Sequence, residues 1–143
     1  MPDPKIIQFP LGLRENLQYH YTKVEVSSAE ILTLFSAPVS LVAAPGAGYI
    51  LIPINAIVEY HFGTVAYDNT NDSPDIKNNG DAGYSMHFAD ILSGVADKIM
   101  FQPLGNSTTA RTENTALVLT EDVDPTLGDG TLTVYLWYIN LEL

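Results

Sequence analysis

The segment from Thr131 to Leu143 predicts a strand that is apolar or aromatic on both faces, and it constrains the fold more than any other part of the chain. It follows Gly128-Asp129-Gly130, residues that tolerate the positive φ angles of hairpin-type turns. Along a strand successive side chains point to opposite sides. Leu132, Val134, Leu136 and Tyr138 therefore share one face, while Tyr135, Trp137, Ile139 and Leu141 share the other. One face can fill a domain core. The second needs another cover, and in a chain of 143 residues the available covers are another subunit or a partner protein. The pattern points to an assembly protein before it points to an enzyme.

A chain of this length suits one domain that buries roughly two thirds of its unfolded surface without covalent staples. It has no cysteine, which excludes a disulfide framework and any thiolate metal site. No apolar run approaches the ~20 residues of a membrane helix. Met1-Pro2-Asp3-Pro4-Lys5 does not open a secretory signal, so neither a membrane partner nor export is expected. The formal charge is -11, from 17 acidic and 6 scattered basic residues, and would repel a phosphate backbone, so no nucleic-acid partner is expected. The acidity reads as a solubility device.

From Met1 to Asn16, Pro2, Pro4, Pro10 and Gly12 leave no sustained period of 2 or 3.6. This predicts an extended N-terminal arm over residues 1–16 and a single β-sandwich domain over 17–143. Ile6, Ile7, Phe9, Leu11 and Leu13 are too many apolar residues for a solvated tail. The arm should dock, either across its own domain or on a neighbour.

Gln18 to Val26 predicts the first strand. Ser27-Ser28-Ala29-Glu30 then matches a capping box, opening a short helix through Ile31, Leu32, Leu34 and Phe35 that Pro38 stops. Val39 to Ala43 gives another strand. Tyr49 to Phe62 alternates, with Ile50, Ile52, Ile54, Ala56, Val58, Tyr60 and Phe62 on one face and Asn55, Glu59 and His61 on the other. Pro53 cannot donate to a ladder, so it requires an edge position or a bulge. Thr64 to Asp81 reads as a long polar loop and Gly83 to Phe88 as a strand. Ile91, Leu92, Val95 and Ile99 have the spacing of a second short helix, weakened by Gly94. Ile99 to Leu104 and Thr115 to Thr120 add strands before the last one. The expected fold is all-β: an antiparallel β-sandwich of jelly-roll type with one or two short helices.

Chemistry is hard to place on this pattern. There is no thiol and no G-x-S-x-G elbow, and His20, His61 and His87 fall in separate strands without an H-x-H or H-E-x-x-H spacing. Gly46-Ala47-Gly48 precedes a strand, whereas a phosphate loop precedes a helix. No catalytic residue and no cofactor is expected. The weak metal candidate is Asp68, Thr70, Asp72 and Asp75, whose oxygens suit calcium. Ser73 stands where an EF-hand has its turn glycine and no Glu closes the set, so a solvated loop is the better reading.

Val26 to Leu32, the run PVSLVAAPGA from Pro38 to Ala47, Tyr60 to Tyr67, Ala116 to Leu119 and Gly128 to Tyr135 together cover much of the chain. In these segments it resembles small proteins encoded among the structural genes of tailed bacteriophages. The resemblance implies a compact β-sandwich, often trimeric, serving as a capsid decoration or cement protein or as part of a head fibre. It also implies a place in the virion, after synthesis in the host cytoplasm, with the major capsid protein or other virion proteins as partners. The arm and the loop after Tyr67 lie outside the shared motifs. From the sequence itself, the expected interface residues are Ile6, Ile7, Phe9, Leu11 and Leu13 of the arm and Tyr135, Trp137 and Ile139 of the last strand, in a homotrimer. The alternative from another class is a carbohydrate- or receptor-binding module of a head fibre or tail, with Tyr67 and the exposed aromatics as its platform.

Overall fold

The alternating runs that begin at Tyr49 and Thr131 become the two long central strands of one sheet, hydrogen-bonded to each other along their lengths. The structure, a computed structural model, describes residues 17–68, 74–83, 86–103 and 111–143. Among these residues eight strands form two four-stranded antiparallel sheets. The first runs, in spatial order, β1 (Leu17–Val26), β8 (Thr131–Glu142), β3 (Tyr49–His61) and β6 (Lys98–Pro103). The second runs β2 (Val39–Val42), β7 (Leu117–Thr120), β4 (Asp75–Asn78) and β5 (Met86–His87). The pairs β1·β8, β2·β7, β3·β6 and β4·β5 are nested, as if one long hairpin had been folded across both sheets. We read this nested order as jelly-roll connectivity.

Both sheets contribute to one core. Val58, Val134 and Leu136 from the first sheet join Ile76, Leu117 and Leu119 from the second, all fully buried. Tyr60 and Tyr67 fill the end of the core nearest Gly130, and the Tyr67 hydroxyl donates to the Gly130 carbonyl at 2.6 Å. β4 lies within the stretch expected to be loop. Its short run Asp75-Ile76-Lys77-Asn78 has no alternation to mark it, yet Asp75, Ile76 and Asn78 are buried.

Pro53 sits at a bulge. Pro53 pairs with Tyr138 and Asn55 with Trp137, so Ile54 is an extra residue in β3 and the facing of the strand inverts there. After the bulge Ala56, Val58 and Tyr60 point into the core as expected, whereas before it Leu51 and Pro53 are buried and Ile50 and Ile52 are only partly covered. The single uninterrupted face from Ile50 to Phe62 is thus corrected to two faces of opposite phase.

The capping box forms as expected. The Ser27 hydroxyl accepts from the Glu30 amide, the Ser27 amide donates to the Glu30 carboxylate at 2.8 Å, and α1 (Ser28–Ile31) follows. Ile31 and Leu34 reach the core. The second expected helix does not form: residues 88–97 run through turns with Asp90 at φ 57, and the strand β6 starts at Lys98. Ile91 and Leu92 are buried while Val95 is exposed, so their apolar spacing reflects packing of a loop and not a helical stripe.

Gly128 adopts a positive φ of 132, but the turn it serves is not a hairpin, because β7 and β8 lie in different sheets. Residues 121–130 instead cross the sandwich, and three carboxylates tie that crossing to the body. Asp124 accepts from the amides of Phe35 and Ser36, Asp129 from those of Thr64 and Val65, and Asp68 from those of Thr126 and Leu127. The bonds from the side chains of Ser36, Thr64 and Thr126 are the first cause, and the backbone amides a further one, that hold these three acids below the ordinary Asp range. A depressed pKa contributes stability that is present above the unfolded value of about 3.9 and is lost as pH falls through the folded values. Calorimetry across pH should therefore show a flat melting temperature from about pH 7 to 5 and a fall below about pH 4. A melting temperature unchanged down to about pH 3 would show that these carboxylates do not hold the crossing.

Candidate interaction surface

The register of the first sheet assembles an apolar outer face that no residue of the chain could announce alone. Across the four strands the rows are Tyr21, Trp137, Asn55 and Pro103, then Lys23, Tyr135, Ile57 and Phe101, then Glu25, Thr133, Glu59 and Ile99. Tyr19, Ile139 and Ile52 form a further row across β1, β8 and β3. Tyr19 is 65% exposed, Ile99 71%, Phe101 58%, Tyr21 52% and Trp137 36%, far above what a covered sheet face shows. By strand spacing the face, its polar positions included, is about 19 Å wide and about 27 Å along the strands, roughly 500 Å². On the second sheet, by contrast, the central strand β7 is buried at every position.

The aromatic groups on this face are pre-ordered. The rings of Tyr21 and Trp137 lie 5.2 Å apart with a 45° tilt, and the Lys23 ammonium sits 5.7 Å above the Tyr135 ring. The Tyr135 hydroxyl donates to Glu59 at 3.1 Å. Partial desolvation first, and the Glu59 acceptor second, raise the Tyr135 phenol above its ordinary value and keep it a donor. The face is thus apolar at the Tyr19 end and polar at the end holding Glu25, Glu59 and His61. Ordered aromatic rings lose little entropy when a partner covers them.

Tyr135, Trp137 and Ile139, expected at an interface, are brought together here with Tyr19, Tyr21, Ile99 and Phe101. Ile6, Ile7, Phe9, Leu11 and Leu13 lie outside the described residues. The calcium candidate is divided. Thr70 and Asp72 also lie outside the described residues, the Asp68 carboxylate is engaged by Thr126 and Leu127, and Asp75 is buried against Nδ1 of His87 at 2.7 Å. Burial is the main reason that Asp75 is pushed above the ordinary Asp range, with the His87 hydrogen bond opposing it. Among the described residues no group of three His, Asp or Glu side chains converges as a metal site.

The histidines occupy separate environments. His20 stacks on Tyr138 at 5.1 Å, His87 pairs with Asp75, and His61 lines an open groove of about 400 Å³ with Glu25, Glu30 and Thr133. In that groove Nε2 of His61 meets Thr133 at 3.1 Å and Glu59 at 3.8 Å. Both contacts use the same ring nitrogen, which is not the relay of a nucleophile, base and orienting acid. Of the two acids lining the groove, Glu30 is committed to the capping box and Glu25 lies 3.6 Å from the Lys23 ammonium.

The sandwich matches a chain of the cyanophage Pam1 capsid asymmetric unit with a TM-score of 0.54 at 16% identity, over 97% of this chain and 99% of that one. What the two chains share is the fold. A chain of the Ralstonia phage GP4 capsid aligns over 90% of this chain and 85% of that one, at 12% identity and a TM-score of 0.45. No protein-family model and no curated protein sequence matches the chain.

One correction bears on the surface. Tyr67, expected on a stacking platform, is 3% exposed and belongs to the core, so it cannot stack on a ligand. Ile99 and Phe101, which fall in the strand expected over Ile99 to Leu104, are outward residues of the edge strand β6.

Proposed function

We propose that the chain is a phage virion structural protein that adds to a capsid as a decoration or cement protein, acts as a homotrimer and is not an enzyme. The observation that carries the reading is an exposed aromatic sheet face on a sandwich whose fold is shared, over 97% of this chain, with a chain of a phage capsid. An apolar patch of this kind on a chain of charge -11 suits a specific contact: the aromatic groups supply contact energy, and the acidic remainder discourages unspecific association. The partners are further copies of the chain and the major capsid protein or other virion proteins. The site of action is the assembled particle, and synthesis is in the host cytoplasm.

Exposed tyrosine and tryptophan rings also favour the second reading, a carbohydrate- or receptor-binding module on a head fibre or tail. Tyr67 has dropped out of that platform, which leaves Tyr19, Tyr21 and Trp137. Light scattering after size exclusion tests the first reading and should give the mass of three 15.6 kDa chains. A monomer at micromolar concentration, together with saturable binding on a glycan array, would replace the first reading with the second.

A further inference from the structure

The outer face of the first sheet needs an occupant, and its charge and position select one. We infer that the face of one copy is covered by residues 1–16 of a second copy, an inference that rests on the homotrimer reading. Residues 1–16 carry Asp3, Lys5, Arg14 and Glu15, two acids and two bases, so their net charge is zero and residues 17–143 hold all of the -11. A second copy laid face to face would bring one strongly acidic body onto another, whereas the neutral segment brings two of the six basic residues with its apolar ones.

The pattern of the segment fits a sheet face. Although residues 1–16 have no sustained period, Ile7, Phe9, Leu11 and Leu13 alternate with Gln8, Pro10 and Gly12, so an extended backbone presents four apolar side chains on one side. Pro10 restricts the free segment and lowers the entropy lost on docking. At up to ~3.5 Å per residue, sixteen residues reach over 50 Å, more than the width of a four-stranded sheet.

The segment joins β1 at Leu17, which pairs with Leu141 at the apolar end of the face, beside Tyr19 and Ile139. A straight continuation of β1 past Leu17 would lead away from its own sheet. To cover its own sheet, the chain would have to reverse and rise about 10 Å, a sheet-to-sheet spacing, within Arg14-Glu15-Asn16. Asn16 tolerates a turn, but the second copy's segment needs none, which favours the second copy as the donor.

The absence of native cysteine and the single tryptophan on this face give a clean test. Phe9→Cys and Tyr21→Cys chains are mixed, exchanged and oxidised, and the product is read on a non-reducing gel. In parallel, acrylamide quenching of Trp137 is compared between the full chain and a chain lacking residues 1–13, with melting curves confirming that both are folded. The expected results are a disulfide joining two different chains and quenching at least two-fold stronger in the shortened chain. A doubly substituted chain that closes the disulfide within itself overturns the inference. A full chain that is trimeric yet shows no cross-link and unchanged quenching also overturns it, leaving the assembly reading intact. A full chain that is monomeric brings down the assembly reading itself.

Discussion

Gly128→Ala lowers stability by about 3 kcal/mol, with a melting loss on the order of 10 °C. Two costs combine. The backbone at Gly128 has φ 132, which L side chains rarely adopt, and an added Cβ would lie 2.5 Å from Cγ and 2.6 Å from Cε1 of Tyr67. Tyr67 cannot yield easily, because its ring is in the core and its hydroxyl is held by the Gly130 carbonyl. Gly46→Ala is the control. Gly46 has φ 106 but open space around its Cβ position, so strain alone remains, costing about 1 kcal/mol. Equal losses for the two variants in urea unfolding would show that Tyr67 does not pack rigidly against the crossing.

Trp137→Glu, combined with Tyr135→Glu, is expected to weaken association by at least about a hundredfold while moving the melting temperature of the monomer by only a few degrees. The two effects separate because these side chains are partly exposed in the single chain and lie on the outer face, away from the core cluster. Aromatic residues at the centre of an interface contribute about 2 kcal/mol or more each, and carboxylates left unpaired in the contact add a desolvation cost. The measurement is the mass by light scattering against concentration. A variant that remains trimeric at micromolar concentration would place the subunit contact elsewhere.

The sandwich was legible where local physics and the tertiary environment agree. The capping box at Ser27 and Glu30 and the alternation of β8 are short-range signals, and both appear as expected. The bulge at Pro53 was half legible. Proline signalled a break in the ladder, but the phase inversion that turns Leu51 inward depends on how β3 pairs with Trp137 and Tyr138, which no local pattern encodes. β4 was missed for a related reason: it is too short to show a period, and it is a strand because its partners offer a ladder. β6, by contrast, forms at Lys98–Pro103 where a strand was expected over Ile99 to Leu104.

The surface divides in the same way. The two-sided apolar character of β8 located Tyr135 and Trp137, because a residue type that should be buried must find cover. Tyr19, Tyr21, Ile99 and Phe101 join them only through register, a property of pairing across strands far apart in sequence. In the sequence Asp68 reads as a weak calcium candidate in a solvated loop and Asp129 as a turn residue, and no local pattern marks Asp124. Their work is to accept backbone hydrogen bonds, and this depends on amides brought to them by the fold.

The most direct test of the virion role is cosedimentation with empty capsids of the cognate phage, using the full chain and the Trp137→Glu, Tyr135→Glu variant at near-physiological salt. The account predicts saturable binding of the full chain in a fixed ratio to the major capsid protein, and binding at least tenfold weaker for the variant. A full chain that stays in the supernatant while folded and trimeric would contradict it.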